Sequence, residues 1–296
     1  MTLRIATRAS ALARWQAERV GARLGRGVEY VLVTTTGDRD QTSELHAIGG
    51  QGVFTKEVQQ AVLDGRADIA VHSAKDLRPM TPPGLVLAAI PERADARDAL
   101  VGCTFDALPT GARIGTGSVR RRAQLAAARP DLLFGPLRGN IETRLRKRVE
   151  NGYDAVVVAV AALERLGLAG EIAEVLEPAV LLPQVGQGAL AVETRTDDAA
   201  TIRRVRAIDD ATAHRAVDAE RAFLAELGGG CDVPCGALAV LDGNEIVLDA
   251  LLASLDGHVV LRTRVGGDDP ADVGVTAARD LLDAKGGAAL VESGAV

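Results

Sequence analysis

Residues 113–125 read RIGTGSVRRRAQL and pass from a short apolar strand, through a loop of glycine and hydroxyl residues, into a helix whose first turn carries arginines. The first 190 residues repeat this order, because short apolar runs alternate with amphipathic helical stretches. The predicted strands lie in LRIAT (3–7), VEYVLVTT (28–35), ADIAVHS (67–73), ARIGTG (112–117) and YDAVVVAVAAL (153–163). Such alternation is typical of βαβ units, so the predicted fold class is α/β with mostly parallel sheets.

Two segments without a helical pattern bracket the middle of the chain. PERADARD (91–98) is charged, and LLPQVGQGAL (181–190) is rich in proline and glycine. We interpret them as paired crossovers between two lobes. This division predicts lobe 1 in residues 1–93 and 189–207, and lobe 2 in residues 97–184.

The pattern changes after Gly236. LDGN (241–244) and LDGH (255–258) are hairpin turn signals between alternating strands, and a helical pattern follows in residues 270–285. These signals predict a small α+β domain in residues 211–296.

Composition limits the class of partner. The chain has 296 residues, a formal net charge of −6 and only 2% aromatic residues, which disfavours non-specific nucleic-acid binding. No apolar run reaches the roughly 18 residues needed to cross a bilayer, so we expect a cytoplasmic protein without a membrane partner. Any bound anion must be held by local clusters of cations.

Arginines collect at three strand ends, in RIATRASAL (4–12), RIGTGSVRRRAQL and PLRGNIETRLRKR (136–148). The residues concerned are Arg8 and Ser10, then Thr116, Ser118, Arg120 and Arg121, and finally Arg138 and Arg144. In open α/β sheets, ligands lie beyond the carboxyl ends of the strands, and arginine matches carboxylates bidentately. The pattern predicts a polyanionic ligand between the lobes; the alternative is that these are solvated surface arginines.

A fourth strand end, ADIAVHSAKDL (67–77), carries Lys75 and Asp76. The two side chains could form a surface ion pair of little energetic worth. The alternative is that Asp76 is a general acid or base.

The segment GGGCDVPCG (228–236) holds Cys231 and Cys235, and Cys103 is the third cysteine of the chain. Four interpretations compete for the pair: a disulfide, half of a metal site, a redox pair, or a nucleophile that carries a group covalently. The odd count disfavours a disulfide framework, the absence of C-x-x-C and H-x-x-x-H pairs disfavours zinc, and C-x-x-x-C is not the usual redox spacing. We therefore expect no metal.

Eight motifs resemble the porphobilinogen deaminase family, in the family's order. They are RIATRASALARWQ, GGQGVFTKE, ADIAVHSAKDL, GTGSVRRRAQL, LRGNIETRL, AALERLGL, PQVGQGAL and GGGCDVPCG. The resemblance implies two periplasmic-binding-protein-like lobes and a small C-terminal domain with a three-stranded antiparallel sheet. It also implies a monomeric transferase that condenses four porphobilinogen molecules head to tail, releases ammonia each time, and hydrolyses the product to the linear tetrapyrrole hydroxymethylbilane.

The resemblance implies residue roles as well. A dipyrromethane cofactor would be attached through a thioether to Cys231, with Cys235 left as loop packing, and Asp76 would be the catalytic carboxylate. Gln16 and Gln187 match positions near the cleft and hinge. The residues implied around the acetate and propionate groups are Arg8, Ser10, Lys75, Thr116, Ser118, Arg120, Arg121, Arg138, Arg144 and Arg165.

The chain departs from the family's usual residues at Arg78, Gly117 and Cys235, where proline, serine and a small or aliphatic residue are common. Two other classes of protein compete with the enzyme. A non-catalytic two-lobed binder of a small polycarboxylate would explain the arginines but not the cysteine loop. A thiol redox protein would explain the cysteines but not the arginines.

Overall fold

The computed structural model describes residues 2–39, 52–228 and 233–292. Its strands, in chain order, are β1 (Leu3–Arg8), β2 (Val28–Val33), β3 (Ile69–Ser73), β4 (Leu85–Ala89), β5 (Asp98–Val101), β6 (Arg113–Gly115), β7 (Leu133–Gly135), β8 (Ala155–Ala159), β9 (Glu174–Leu176), β10 (Leu190–Arg195), β11 (Cys235–Asp242), β12 (Glu245–Ala253) and β13 (Val260–Gly267). The α-helices are α1 (Ala11–Leu24), α2 (Thr36–Arg39), α3 (Lys56–Leu63), α4 (Val119–Ala128), α5 (Ile141–Glu150), α6 (Val160–Arg165), α7 (Ala199–Arg206), α8 (Ala211–Glu226), α9 (Pro270–Arg279) and α10 (Ala288–Glu292).

Two five-stranded sheets have the same plan. The first has the order β2-β1-β3-β10-β4 and the second the order β7-β6-β8-β5-β9. In each sheet one strand, β10 or β5, runs antiparallel to both of its neighbours, while the other paired strands agree in direction. The carboxyl ends of β1 and β3 therefore share one edge of the first sheet, and those of β6, β7 and β8 share one edge of the second.

The chain crosses between the sheets twice. It leaves the first sheet after β4 through residues 90–97 and returns through residues 177–189 to β10. The crossovers touch each other, because Arg93 and Ala189 form an isolated antiparallel bridge and the Ala94 amide donates to the Gly188 carbonyl at 3.1 Å. Gly188 has a φ of +86°, and a Cβ there would lie 2.4 Å from the Ala94 carbonyl oxygen, so only glycine fits this approach.

The C-terminal domain is a three-stranded antiparallel sheet, β11-β12-β13, covered by α8 and α9. Gly243 and Asn244 make the two-residue turn of the first hairpin, as LDGN predicts. The inward face of this sheet buries Ile246 and Leu248 against Phe223 of α8, in one apolar core.

The predicted fold class is confirmed: two lobes built on mixed, mostly parallel sheets are followed by a small α+β domain. Across the parts of the chain that the structure describes, no helix is long and apolar enough to span a membrane.

Candidate active site and family membership

Asp76 lies in a single 3-10 turn, Ala74–Asp76, directly after β3. The Ala74 amide donates to the Ala189 carbonyl at 3.0 Å, and the Gln16 amide donates to Ser73 Oγ at 2.8 Å, so the turn is fixed from two sides. The Asp76 side chain is partly buried, yet no residue in the described ranges gives its carboxylate a hydrogen bond or an ion pair. The turn fixes the position of the Asp76 carboxylate, and that carboxylate remains available to a ligand.

Lys75 does not pair with its neighbour Asp76. Its ammonium donates instead to Gln187 Oε1 at 3.2 Å, and Gln187 Nε2 donates onward to Asp98 Oδ1 at 2.9 Å and to the Ala96 carbonyl at 2.7 Å. Burial and the nearby Arg121 charge lower the pKa of Lys75 to about 8. The predicted alternative of a surface ion pair is therefore wrong for this lysine.

Arg120 and Arg121 are buried, at 3% and 6% exposure, and are not solvated surface arginines. Their Nη2 atoms each donate at 2.7 Å to Asp98, which is 0% exposed, while their Nη1 atoms donate to the carbonyls of Leu182 and Val157. Burial alone would raise the pKa of Asp98, but the two guanidinium groups hold it well below its usual range. Asp98 thus fixes both arginines at the start of α4.

The loop before α4 fixes the remaining predicted residues of this strand end. Ser118 is the N-cap, and its Oγ accepts a hydrogen bond from the Arg121 amide at 3.4 Å, while the Ser118 amide donates to Thr116 Oγ1 at 3.2 Å. A Cβ on Gly117 would lie 2.8 Å from the Leu137 carbonyl oxygen. A side chain at this position would therefore require the loop to shift.

Arg138 and Arg144 belong to the same cationic cluster. Asn140 caps α5 through the Thr143 amide at 2.9 Å, and Arg144 Nε donates to the Gly139 carbonyl at 2.8 Å. Burial, Arg121 and Arg138 lower the pKa of Arg144 to about 10, although the nearby Asp76 carboxylate opposes this shift. The cations therefore repel one another around Asp76.

Arg8, Ser10 and Arg165 lie at the neighbouring ends of β1 and α6. The Arg8 guanidinium forms an ion pair with Asp38 and lies 4.3 Å from the centroid of the Phe54 ring. Ser10 caps α1. Arg165 Nη2 donates to the Gly188 carbonyl at 2.6 Å, which joins α6 to the crossover beside Gln187.

Unsatisfied donors test whether an anionic cofactor fits here. Arg120 Nε, Arg121 Nε and Arg138 Nη1 are buried, and they have no hydrogen-bond partner in the described residues. Buried donors are normally paired, and arginine pairs best with carboxylates. Among the described residues, cations also outnumber carboxylates in the cluster, where Asp76 and Asp98 are the carboxylates near Lys75, Arg120, Arg121, Arg138 and Arg144. A ligand with several carboxylates fits this site.

Two family models cover most of the chain. Residues 3–203 match "Porphobilinogen deaminase, dipyromethane cofactor binding domain", and residues 214–283 match "Porphobilinogen deaminase, C-terminal domain". The chain belongs to the porphobilinogen deaminase family. The predicted transferase activity of hydroxymethylbilane synthase and the predicted dipyrromethane cofactor are confirmed with it, and a non-catalytic binder is not favoured.

Individual porphobilinogen deaminases match the chain from end to end. The enzyme of Roseiflexus sp. (strain RS-1) is 50% identical over 299 residues, which cover 98% of each chain. The enzyme of Acidithiobacillus ferrooxidans (strain ATCC 53993 / BNL-5-31) is 46% identical over 299 residues, covering 98% of this chain and 97% of its own. Among solved structures, the second substrate binding domain of a putative amino acid ABC transporter from Streptococcus pneumoniae Canada MDR_19A matches 70% of this chain and 91% of its own, with 10% identity and a TM-score of 0.44.

Some residues of the site were missed by the sequence analysis, and one lies beyond the described structure. Asp98 was read only as part of a charged crossover, although an aspartate that opens the apolar strand DALV signals a buried, paired carboxylate. Asp38, the partner of Arg8, carried no such signal. Cys231 lies outside the described residues, whereas Cys235 opens β11 and is buried in the core of the C-terminal domain.

Proposed function

We propose that this chain condenses four porphobilinogen molecules into hydroxymethylbilane with Asp76 as the catalytic carboxylate and Cys231 as the thioether anchor of the dipyrromethane. The observation that carries the role of Asp76 is its unpartnered carboxylate among cations. Because Asp76 follows a strand end held by Ala189 and Gln16, its oxygens can meet a pyrrole without reorganisation of the backbone.

Asp76 would act in two ways. Its carboxylate accepts hydrogen bonds from pyrrole N–H groups, which orients the ring. Its negative charge also stabilises the cation that forms on the substrate as ammonia leaves, and a fixed charge in a partly dry cleft does this without the cost of solvent reorganisation.

The arginines and Lys75 would hold the acetate and propionate groups. The unsatisfied nitrogens of Arg120, Arg121 and Arg138 are the first donors that the ligand carboxylates would accept from. Arg8, Ser10, Thr116, Ser118, Arg144 and Arg165 complete the proposed set, with Gln16 and Gln187 as supports at the cleft and hinge. The bound dipyrromethane supplies the primer ring to which the first new ring is joined.

The lobe boundaries given above, a monomeric state and a cytoplasmic location are part of this proposal. The two crossovers support the boundaries, since residues 90–97 and 177–189 connect the two sheets. Gel filtration with light scattering tests the monomer, and cell fractionation tests the location.

Intact-mass analysis tests the cofactor anchor. The purified protein should exceed its sequence mass by two pyrrole units, with the addition mapped to the Cys231 peptide. Cys235→Ala should keep the addition and the release of ammonia from porphobilinogen, whereas Cys231→Ser should lose both. The Cys231→Ser protein should also melt at a lower temperature, because a ligand bound only by the folded state stabilises that state. An adduct on Cys235, or an unmodified protein that is active, would contradict the assignment.

A further inference from the structure

An open, solvent-exposed cavity of about 490 Å³ lies between α1 and α6, two helices that contact each other. Its walls include Arg14, Trp15, Glu18 and Arg165. None of Arg14, Trp15 and Glu18 has a role in the site described above.

The cavity adjoins the active site at three points. Ala9 and Ala11 line it on either side of the α1 cap Ser10. Arg165 reaches from its wall to the Gly188 carbonyl, next to Gln187. Gln16, the residue after Trp15, holds Ser73 three residues before Asp76. A small molecule in this cavity would therefore contact α1, the helix whose Gln16 holds Ser73 of the segment before Asp76.

The wall chemistry combines a flat aromatic surface with charges of both signs. Arg165 lies 5.6 Å from the centroid of the Trp15 ring, a cation–π distance. The Arg14 guanidinium has no hydrogen bond or ion pair with any described residue, although Glu18 stands one helical turn away on the same wall. The cavity thus offers two cations, one carboxylate and one indole face to a ligand.

Porphobilinogen has the complementary groups. Its pyrrole ring is flat, its acetate and propionate are anionic, and its aminomethyl group, which leaves as ammonia, is cationic. A ring of the growing chain keeps the two carboxylates but has no ammonium group, so Glu18 would repel it. The carboxylate on the wall distinguishes the incoming substrate from the product.

We propose that this cavity is an entry site, where porphobilinogen rests on Trp15 before it reaches Asp76, with Arg14 and Arg165 on its carboxylates and Glu18 on its ammonium. This inference rests on the proposed function. It explains why the cavity holds a carboxylate beside a cleft in which cations predominate. It also gives the incoming substrate one cation, Arg14, that has no ion pair with a described residue, whereas Arg8 pairs with Asp38 and Arg120 pairs with Asp98.

Trp15 itself provides the measurement, since it is the one tryptophan of the sequence. Porphobilinogen added to the holoenzyme should change the Trp15 emission within the mixing time, before ammonia is released, after correction for absorption by pyrroles. The change should disappear when excess substrate is removed, even though rings have been added covalently. An emission that does not respond, or that follows the number of covalently bound rings, would overturn the entry site.

Variants separate the three wall contacts. Glu18→Gln and Arg14→Gln should each raise KM by roughly two- to fivefold with kcat unchanged, as expected for exposed charge contacts. Trp15→Leu should raise KM by roughly fivefold and Trp15→Phe should restore it, because phenylalanine keeps an aromatic face. Arg19→Gln is the matched control: Arg19 is also on α1 but pairs with Glu92, and this variant should keep the parental KM.

A porphobilinogen analogue without the aminomethyl group gives a second, independent test. Its inhibition constant should exceed the KM for porphobilinogen, because Glu18 repels a ligand that has carboxylates but no ammonium group. Glu18→Gln should remove this difference between the two constants. Equal KM values for Glu18→Gln and the parent would contradict the entry site while leaving the proposed function intact. A parent enzyme that releases no ammonia from porphobilinogen would instead contradict the function itself.

Discussion

Asp76 and Asp98 lie near the same cations but differ in burial and in hydrogen bonding. Asp98 opens β5, is fully buried and accepts hydrogen bonds from Arg120, Arg121 and Gln187. Asp76 follows β3, is partly exposed and has no partner in the described parts of the chain. The comparison shows that a carboxylate satisfied by the protein organises a site, whereas one left unsatisfied can do its chemistry.

Replacing Asp76 should have the largest effect on turnover. Asp76→Asn keeps the shape of the side chain but removes its charge, so we expect kcat to fall by at least about 10³-fold. The free energy of unfolding should change by less than about 0.5 kcal/mol, because no protein contact is lost. Single-turnover ammonia release and chemical denaturation measure the two effects. Near-parental ammonia release would remove Asp76 from the catalytic role.

Replacing Asp98 should show the opposite pattern. Asp98→Asn leaves two buried guanidinium groups without a counter-charge, which should cost about 3–5 kcal/mol in unfolding free energy. Asp64→Asn is the matched control, because Asp64 and its partner Arg66 are both largely exposed, and its cost should be about 1 kcal/mol or less. Equal costs for the two variants in urea denaturation would show that Asp98 does not organise the cluster.

The sequence predicted one side of this comparison and not the other. Asp76 follows a strand end in a motif that resembles a known family, so its position could be inferred from local order. The pairing of Asp98 on β5 with Arg120 and Arg121 on α4 joins residues 22 and 23 positions apart. Long-range pairing of this kind leaves no periodic signal. For the same reason Arg8 was predicted as a ligand contact without its partner Asp38.

Titration of Lys75 should have a smaller effect on activity than replacing Asp76. As pH rises, it should lower kcat/KM and raise the stability of the fold. Its pKa of about 8 lies below the 10.5 of an ordinary lysine. Between these values the unfolded chain binds more protons than the folded one, so this group makes folding more favourable as pH rises from about 8 to 10.5. Substrate carboxylates need the charged form, so kcat/KM should fall by up to about tenfold per pH unit above pH 8.

Lys75→Arg controls for that effect, because arginine stays charged throughout this range. The inflection in kcat/KM near pH 8 should disappear in the variant, together with the gain in stability above pH 8. An unchanged inflection would assign it to another group.

Gln187 lies between the segment of Asp76 and the buried Asp98. Replacing it should have the smallest effect of the changes considered. Its side chain accepts from Lys75 and donates to Asp98, so it connects the turn that carries Asp76 to the buried cluster. We expect a double-mutant cycle of Gln187→Met and Asp98→Asn to show a coupling energy of about 1 kcal/mol in unfolding free energy, as for residues in one hydrogen-bond network. The same cycle with Asp76→Asn should show none in stability, because Asp76 makes no bond to this network. A coupling between Gln187 and Asp76 as large as that with Asp98 would mean that Asp76 is held by the protein after all, and the contrast between the two aspartates would fail.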